Sequence, residues 1–256
     1  MSSAVNRQHL DYALDDGVAA RAAIGLIVLA TDHTIEHEWR QLLHALPGVA
    51  FFETRISNSA TITPETLAEM EQHIAACTAV IRPGERIDVV AYGCTSGAMV
   101  MGADAVAARI HEARPGVACT NPFTAGVTAL RAFGVGRIAL LTPYIDEVNQ
   151  WMRGEFEAQG IAVPVMGSFN VGVDNEVARI SESSIEAALL ELGSLDGIDG
   201  AFVACTSLRV ASIVERVEEQ LGKPVTASNH AMAWHALRLA GVDDPIAGLG
   251  RLFREH

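Results

Sequence analysis

Short, nearly continuous apolar segments alternate along the chain with longer segments in which apolar residues recur at helical spacing. The first apolar segment runs from Ile24 to Ala30, and a helical pattern from Ile35 to Leu46 follows it and ends at Pro47-Gly48. Continuous apolar runs of this length are typical of strands that are covered on both faces in a parallel sheet. The alternation therefore predicts an α/β protein with parallel sheets.

The same alternation continues to the end of the chain. Proline and glycine close helical segments, as at Pro83-Gly84, because neither residue continues a helix well. Further strands are predicted at 49–56, 87–93, 117–120, 137–142, 161–171, 199–204 and 224–227. Further helices are predicted at 65–81, 98–113, 123–133, through 151 to about 159, and at 176–192, 208–221 and 230–240.

The second half of the chain repeats the order of residues in the first half. The segment from Ile87 to Ser96 returns as Ile198 to Ser207, with Ile, Asp, Cys, Thr and Ser in the same register. Residues 129–131 return as 236–238, and the offsets between matched segments stay at about 107 to 114 residues. The chain is therefore predicted to contain two pseudo-symmetric Rossmann-like lobes with parallel sheets.

This repeat sets the predicted domain organisation. Residues 1–21 have no clear apolar period and are expected to form an arm or a short helix laid on the body. The first lobe is expected at 22–120, the second at 121–228, and a C-terminal helix and tail that pack back on the lobes at 229–256. Open parallel sheets bind ligands beyond the carboxyl ends of their strands, so the active site is predicted in the cleft between the lobes.

The composition narrows the range of partners. Half of the residues are hydrophobic, the formal net charge is −13, and no run is rich in Lys or Arg. Nucleic acids and anionic membranes are bound mainly by clustered cations, so neither is expected as a partner. No apolar run reaches the roughly 18 residues that span a bilayer, and no signal-peptide core is recognised at the start. A cytoplasmic location with four reduced cysteines is therefore predicted.

Cys94 and Cys205 each follow a predicted strand and precede a Thr-Ser pair and a predicted helix. A thiol is a nucleophile or base only as the thiolate, and unpaired N–H groups at a helix N-terminus lower its pKa. Hydroxyl and main-chain N–H groups in the two turns can bind a carboxylate. These groups belong to Thr95, Ser96, Thr206 and Ser207. In the alternative interpretation, small residues only let the chain turn and the thiols are small buried apolar side chains.

Further side chains at predicted strand ends complete the candidate binding set. They are Thr31, Asp32, His33, Tyr144, Asp174 and Asn175. For Asp32 and Asn175, helix capping or turn hydrogen bonding is an alternative to ligand contact. Cys77 and Cys119 lie within an apolar helix and a short strand, so both are expected in the core.

Neither a metal nor a nucleotide cofactor is predicted. The cysteines form no CxxC pair, and His33 with His37 has the spacing of a zinc pair but no third ligand. No GxGxxG or GxxxxGK[ST] phosphate-binding motif occurs.

Taken together, these motifs resemble the aspartate/glutamate racemase superfamily over about residues 22–254. Within it they are similar to the branch of maleate cis-trans isomerase, arylmalonate decarboxylase and ectoine-utilisation protein A. The motifs are Tyr92-Gly93-Cys94, Ala204-Cys205-Thr206-Ser207, Leu141-Thr142-Pro143-Tyr144, Val173-Asp174-Asn175-Glu176-Val177 and Gly248-Leu249-Gly250-Arg251-Leu252-Phe253. The resemblance implies two α/β lobes, a substrate between two cysteines, no cofactor, and a homodimer or higher homo-oligomer.

The same resemblance implies roles for single residues. Cys94 would be the nucleophile that adds to a double bond, Cys205 its acid/base partner, and Tyr144 and Asn175 would hold carboxylates. Arylmalonate decarboxylases keep only the second thiol, so the presence of both favours isomerase or racemase chemistry. Maleate isomerases carry an asparagine where this chain has Asp32. A carboxylate there repels a dicarboxylate unless it is protonated, but it favours an ammonium group or holds a proton for a thiol. The expected substrate therefore shifts toward an amino acid or an ectoine-derived compound.

The sequence leaves three functions open. The leading hypothesis is a cofactor-independent isomerase or racemase of a small carboxylic or amino acid, in which the thiols exchange an α-proton or one adds to a double bond. Donors in the two turns would stabilise the enediolate. The second is an arylmalonate-type decarboxylase that uses Cys205 alone, and the third is a non-catalytic carboxylate-binding protein.

Overall fold

All eight apolar segments predicted as strands form strands in the computed structural model, which describes residues 5–59, 61 and 63–256. The elements of the first half are β1 (Ala22–Leu29), α1 (Ile35–Leu43), β2 (Val49–Ile56), α2 (Pro64–Ala68), α3 (Glu71–Ala79), β3 (Val89–Gly93), α4 (Thr95–Met101), α5 (Ala103–Ala113), β4 (Ala118–Thr120) and α6 (Pro122–Ala132). Those of the second half are β5 (Arg137–Thr142), α7 (Asp146–Ala158), β6 (Ala162–Ser168), α8 (Asp174–Val177), α9 (Glu182–Gly193), β7 (Gly200–Val203), α10 (Val214–Leu221), β8 (Val225–Ala227), α11 (Ser228–Leu239) and α12 (Gly250–Glu255).

The strands form two four-stranded sheets of identical topology. The first has the order β2-β1-β3-β4 and the second the order β6-β5-β7-β8. Every pair of neighbouring strands is parallel. The two-lobed α/β fold predicted from the sequence repeat is thus confirmed, and β3 and β7 occupy equivalent positions in the two sheets.

The central strand β1 explains why its sequence is continuously apolar. All eight of its residues are buried. Alternate side chains such as Ile24 and Leu26 pack with residues of α1 and α11, while Ile27 and Leu29 pack on the opposite face with residues of α3 and α5. Because successive side chains point to opposite faces, a strand covered on both sides has no polar position.

The two sheets are joined by helices that cross from one half to the other. Helix α11 follows the last strand of the second sheet, yet Ala233 and Leu237 pack in the core that contains β1. Helix α6 follows the last strand of the first sheet, and its Val127 and Leu130 pack in the core of the second sheet. Each half therefore supplies a helix that covers part of the other half.

Several predicted helices are shorter or interrupted. The helix predicted at 98–113 divides at Gly102, whose φ of +85° lies in the left-handed region that favours glycine. The helix predicted at 208–221 begins only at Val214. The preceding residues 208–213 form turns and irregular backbone, and buried residues among them such as Leu208 and Ile213 pack in the core without helical structure. The segments 65–81 and 176–192 each contain two helices.

Only the last residues of the described N-terminal arm contact the body, through buried Ala19 and the ion pair of Arg21 with Asp244. Residues 5–18 are exposed and contain no helix or strand, and residues 1–4 of the predicted arm lie outside the described residues. Residues 60 and 62, between β2 and α2, also lie outside them. Within the described ranges, no helix is long and apolar enough to cross a bilayer.

Candidate active site

Cys94 lies directly after β3 and is the N-cap residue of α4. The backbone N–H of Gly97 donates to its Sγ at 3.3 Å, and Ser96 Oγ lies 3.9 Å from the same sulfur. A Cβ at position 97 would lie 2.9 Å from Sγ and 3.0 Å from the Tyr92 hydroxyl oxygen. Glycine at position 97 therefore allows the first turn of α4 to approach the sulfur closely.

Cys205 occupies the equivalent place after β7, two residues beyond the strand end. Its φ of +101° is uncommon for a residue with a side chain and indicates local backbone strain. Its N–H donates to Ser228 Oγ at 3.0 Å, and the N–H of Ser207 donates to its sulfur. The prediction that Cys205 lies at a helix N-terminus is wrong, because the next helix, α10, starts nine residues later at Val214.

Both thiols line one small, partly enclosed cavity. Of the residues predicted for the site, the lining includes Cys94, Thr95, Ser96, Tyr144, Asp174, Cys205 and Thr206. The other lining residues are Leu29, Asn58, Ser59, Thr61, Thr66, Leu67 and Met70. Among these residues none is Lys, Arg or His, so the cavity contains no cationic side chain from the described part of the chain. The two halves of the chain thus bring their cysteines to a single site.

Tyr144 is buried beside the second thiol. Its hydroxyl lies beside the side chains of Cys205 and Ser96, and burial raises its pKa well above the ordinary value. Asn149 fixes the turn by donating from Nδ2 to the carbonyl oxygen of Tyr144 at 2.7 Å. The phenol therefore reaches from the end of β5 to both cysteine turns and is placed to donate to a substrate oxygen between them.

Asp174 contributes a carboxylate to the lining of the cavity. Its Oδ1 accepts a hydrogen bond from Ser207 Oγ at 2.8 Å, and its Oδ2 accepts one from Thr31 Oγ1 at 2.5 Å. Thr31 and Ser207, which were predicted to contact substrate, thus contact Asp174, and neither lines the cavity. Asn175, to which the resemblance assigned a carboxylate, is half-buried and does not line it either, so of the two neighbouring candidates Asp174 and not Asn175 faces the cavity.

Asp32 lies behind the cavity wall and caps α1. Its Oδ1 accepts the N–H groups of Thr34 and Ile35 at 2.6 and 2.9 Å. Its Oδ2 is buried and has no hydrogen-bond partner among the described residues. Burial, opposed by these N–H groups, raises the pKa of Asp32 to about 6. Asp32 was predicted to bind substrate, but it does not line the cavity, and its hydrogen bonds are those of the alternative interpretation, a carboxylate that binds the turn at the start of α1.

The thiols are less acidic than the sequence predicted. Burial, reinforced by the charges of Asp174 and Asp32, raises the pKa of Cys94 to about 12 despite the N–H of Gly97. The same causes raise the pKa of Cys205 above its ordinary value. The loss of hydration and two nearby carboxylates outweigh the single N–H at each sulfur. In the unliganded site near neutral pH, both cysteines are therefore thiols.

A buried polar network that the sequence did not reveal supports the two cysteine turns. Ser228 Oγ lies 2.8 Å from Thr95 Oγ1 and accepts the N–H of Cys205, so one hydroxyl links both turns. Asn229 Nδ2 donates to the Thr206 carbonyl oxygen and to Glu38 Oε2, both at 2.7 Å. Ser228 and Asn229 follow β8 directly, and the strand-end rule that identified the other candidates would have found them.

Glu38 is the least expected member of this network. It is buried on α1 and accepts the N–H of Ala211 at 2.6 Å. Burial raises its pKa to about 7. No sequence signal distinguishes it from a surface glutamate, because its partners are more than a hundred residues away along the chain.

The remaining candidate residues do not extend the site. Cys77 and Cys119 are half-buried and lie outside the cavity. No group of three or more His, Cys, Asp or Glu within the described ranges is arranged to hold a metal ion. Two thiols, a phenol, several hydroxyls and one carboxylate facing a single cavity can perform nucleophilic addition and proton transfer on a small acid.

The sequence of this chain matches a family model described as arylmalonate decarboxylase over residues 24–253. It is 29% identical over 241 residues to a maleate isomerase of Nocardia farcinica, covering 91% of this chain and 95% of that protein. It is 35% identical over 144 residues to an arylmalonate decarboxylase of Bordetella bronchiseptica, covering 55% and 59%.

Its fold is also similar to solved structures of this group. The structure of a mutant Nocardia farcinica maleate cis-trans isomerase with a covalently bound succinylcysteine intermediate superimposes with a TM-score of 0.84 at 28% identity. The match covers 92% of this chain and 99% of that one.

Proposed function

Because the chain belongs to the arylmalonate decarboxylase family and is a cysteine-based isomerase, we propose that it isomerises a small unsaturated carboxylic acid through covalent addition of Cys94. The observation that carries the proposal is the meeting of Cys94 and Cys205 in one cavity. A decarboxylation that protonates one face of a carbanion needs a single proton donor, whereas addition and elimination across a double bond need a nucleophile and an acid/base. The relative trapped as a succinylcysteine supports the covalent route.

The proposed steps use groups of this chain and water. Cys94 first gives its thiol proton to water. The resulting thiolate forms an S–C bond as the π bond of the substrate breaks, and the Cys205 thiol gives its proton to the adjacent carbon. Rotation about the new single bond, return of the proton to the Cys205 sulfur and loss of the Cys94 thiolate give the trans acid. In this proposal the substrate carboxyl group accepts hydrogen bonds, as negative charge develops on it, from four cavity-lining residues: Tyr144, Ser96, Thr95 and Thr206.

Substitution of each thiol tests this assignment. We expect Cys94→Ser to lower kcat/KM for cis-trans conversion by at least about a thousandfold, because a neutral hydroxyl is a far weaker nucleophile. Cys77→Ser, which changes a half-buried thiol outside the cavity, serves as the matched control and should keep wild-type turnover. Turnover of an aryl malonate that survives Cys94→Ser would instead identify a decarboxylase that uses Cys205 alone.

Mass spectrometry separates covalent addition from proton exchange. In Cys205→Ser the proton donor is lost, and we expect a peptide containing Cys94 to gain the mass of the substrate. Incorporation of deuterium at the α-carbon in heavy water, with no adduct on Cys94, would contradict covalent addition and support a two-base racemase.

Three finer predictions belong to the same proposal. A cytoplasmic location, a homodimer or higher homo-oligomer, and a place in ectoine utilisation follow from the sequence and its resemblance. Light scattering coupled to gel filtration would measure the oligomeric state directly.

A further inference from the structure

The charge of the cavity is set by one side chain. Among the described lining residues, Asp174 is the only ionisable one other than the cysteines and Tyr144, and it is 4% exposed. Both cysteines experience its charge. A buried carboxylate that faces a ligand cavity without a cation beside it strongly repels a second carboxylate.

The hydrogen bonds around Asp174 fix it as an acceptor. Asn58 Nδ2 can only donate, and it donates to Thr31 Oγ1 at 2.8 Å. The hydroxyl hydrogen of Thr31 is therefore directed to Asp174 Oδ2, while Ser207 donates to Oδ1. Each carboxylate oxygen keeps a free lone pair for a further donor from the cavity.

A second carboxylate lies behind the first. Asp32 is 2% exposed, its Oδ2 has no partner among the described residues, and its charge also acts on both cysteines. The nearby cation Arg55 donates to the carbonyl oxygens of Leu29 and Asp32, and its charge is paired with Glu36 at 2.9 Å. No cationic side chain among the described residues therefore lies in the cavity to neutralise the charges of Asp174 and Asp32.

We propose that Asp174 binds an ammonium group, so that the substrate carries one carboxylate and one protonated amine rather than two carboxylates. This inference rests on the proposed function for the reaction but concerns only the charge of the ligand. An ammonium group supplies the donors that Asp174 lacks. Its charge also offsets the carboxylates that disfavour a thiolate at Cys94, whereas a dianion adds to their effect. Asp174 is thus the residue that selects the substrate.

Binding of unreactive ligands tests the inference without any chemistry. Succinate and 4-aminobutanoate are saturated four-carbon acids that differ in having a second carboxylate or an ammonium group. By calorimetry we expect wild-type protein to bind 4-aminobutanoate at least about tenfold more tightly than succinate, and Asp174→Asn to remove that preference. Preferential binding of succinate by the wild type would overturn the inference, and this result needs no variant to fold.

A matched pair of reactive acids tests it in turnover. Maleate and cis-4-aminobut-2-enoate share the cis double bond and one carboxylate, so their kcat/KM ratio reports the charge preference. We expect the ratio to favour the amino acid in wild type and to shift at least about tenfold toward maleate in Asp174→Asn. Asp88→Asn is the control, because Asp88 accepts the Ala23 N–H at the opposite end of β3 and should leave the ratio unchanged.

The outcomes distinguish this inference from the proposed function. Isomerisation that favours maleate, or a ratio that Asp174→Asn does not shift, overturns the ammonium site while the cysteine mechanism stands. Selective binding of 4-aminobutanoate that depends on Asp174 supports the ammonium site. If neither maleate nor cis-4-aminobut-2-enoate is isomerised, the proposed reaction is contradicted while the ammonium site stands.

Discussion

Asp32 combines a capping role with burial that opposes its charge. The N–H groups of Thr34 and Ile35 favour the carboxylate, but loss of hydration outweighs them and raises its pKa to about 6. A carboxyl whose pKa is raised in the folded state favours folding most below its unfolded pKa. That contribution is lost as the pH rises through the folded pKa.

The Asp32→Asn variant should therefore change how stability depends on pH. An asparagine keeps Oδ1 for the two N–H groups but cannot ionise. Between about pH 4 and pH 8 we expect wild type to lose about 2 kcal/mol of unfolding free energy relative to the variant, which is most of a rise of about two pKa units at 1.36 kcal/mol each. Urea unfolding at both pH values measures the difference.

An exposed carboxylate provides the control for this measurement. Asp196 lies on an exposed turn, and Asp196→Asn should stay within about 0.5 kcal/mol of wild type at both pH values. A difference between wild type and Asp32→Asn that is the same at pH 4 and pH 8 would mean that Asp32 does not titrate in this range.

The thiols illustrate a limit of residue-level reasoning. The sequence predicted that Cys94 and Cys205 share one site, and both line one cavity, but it also predicted lowered pKa values from their place before helices. Burial and the carboxylates of Asp32 and Asp174 raise both pKa values instead. These causes arise from segments far apart in the chain, so no local pattern could have revealed them.

At the scale of elements, Gly102 separates α4, which carries the first cysteine turn, from α5. Its φ is +85°, and a Cβ there would meet nothing within 4 Å. Gly102→Ala should therefore destabilise the protein through backbone strain alone, by about 1 to 2 kcal/mol. Thermal or denaturant unfolding measures this loss.

A second glycine gives the opposite expectation under the same substitution. Gly154 is exposed within α7, has no left-handed φ, and also has open space at its Cβ position. Gly154→Ala should stabilise the protein by about 0.5 to 1 kcal/mol, because alanine favours the helix. If both variants changed stability in the same direction, backbone conformation would not be the cause at Gly102.

The loop after β7 shows why the helix predicted at 208–221 begins six residues later than expected. The segment 208–213 has apolar residues at a spacing that also suits a helix, yet its N–H groups at Val210 and Ala211 donate to Glu38 on α1. A buried acceptor from another element satisfies these donors, so the loop does not need helical hydrogen bonds. The sequence thus predicted correctly that a helix follows Cys205, but the residue at which the helix begins depends on Glu38, which is distant in the chain.

At the scale of the whole molecule, the exchanged helices α6 and α11 make the halves depend on each other. Leu237 of α11 is fully buried in the core that contains β1 of the other half. We expect a single cooperative unfolding transition, with coincident curves from tryptophan fluorescence and far-UV circular dichroism in urea.

A substitution in the core tests whether the two halves unfold together. Leu237→Ala should lower the unfolding free energy by about 2 to 5 kcal/mol and shift both curves together. Two separated transitions, or a shift seen by one probe alone, would indicate that the halves fold independently.

The sequence by itself determined the two parallel sheets, their duplication and the strand-end cysteines, because strand burial and internal repeats can be recognised from local patterns of residues. Tertiary structure alone decided that Asp174 rather than Asn175 faces the cavity, that Ser228 links the two turns, and that Glu38 holds the loop after Cys205. The direction of a side chain at a strand end, and the charges that surround it, depend on which distant segments meet there.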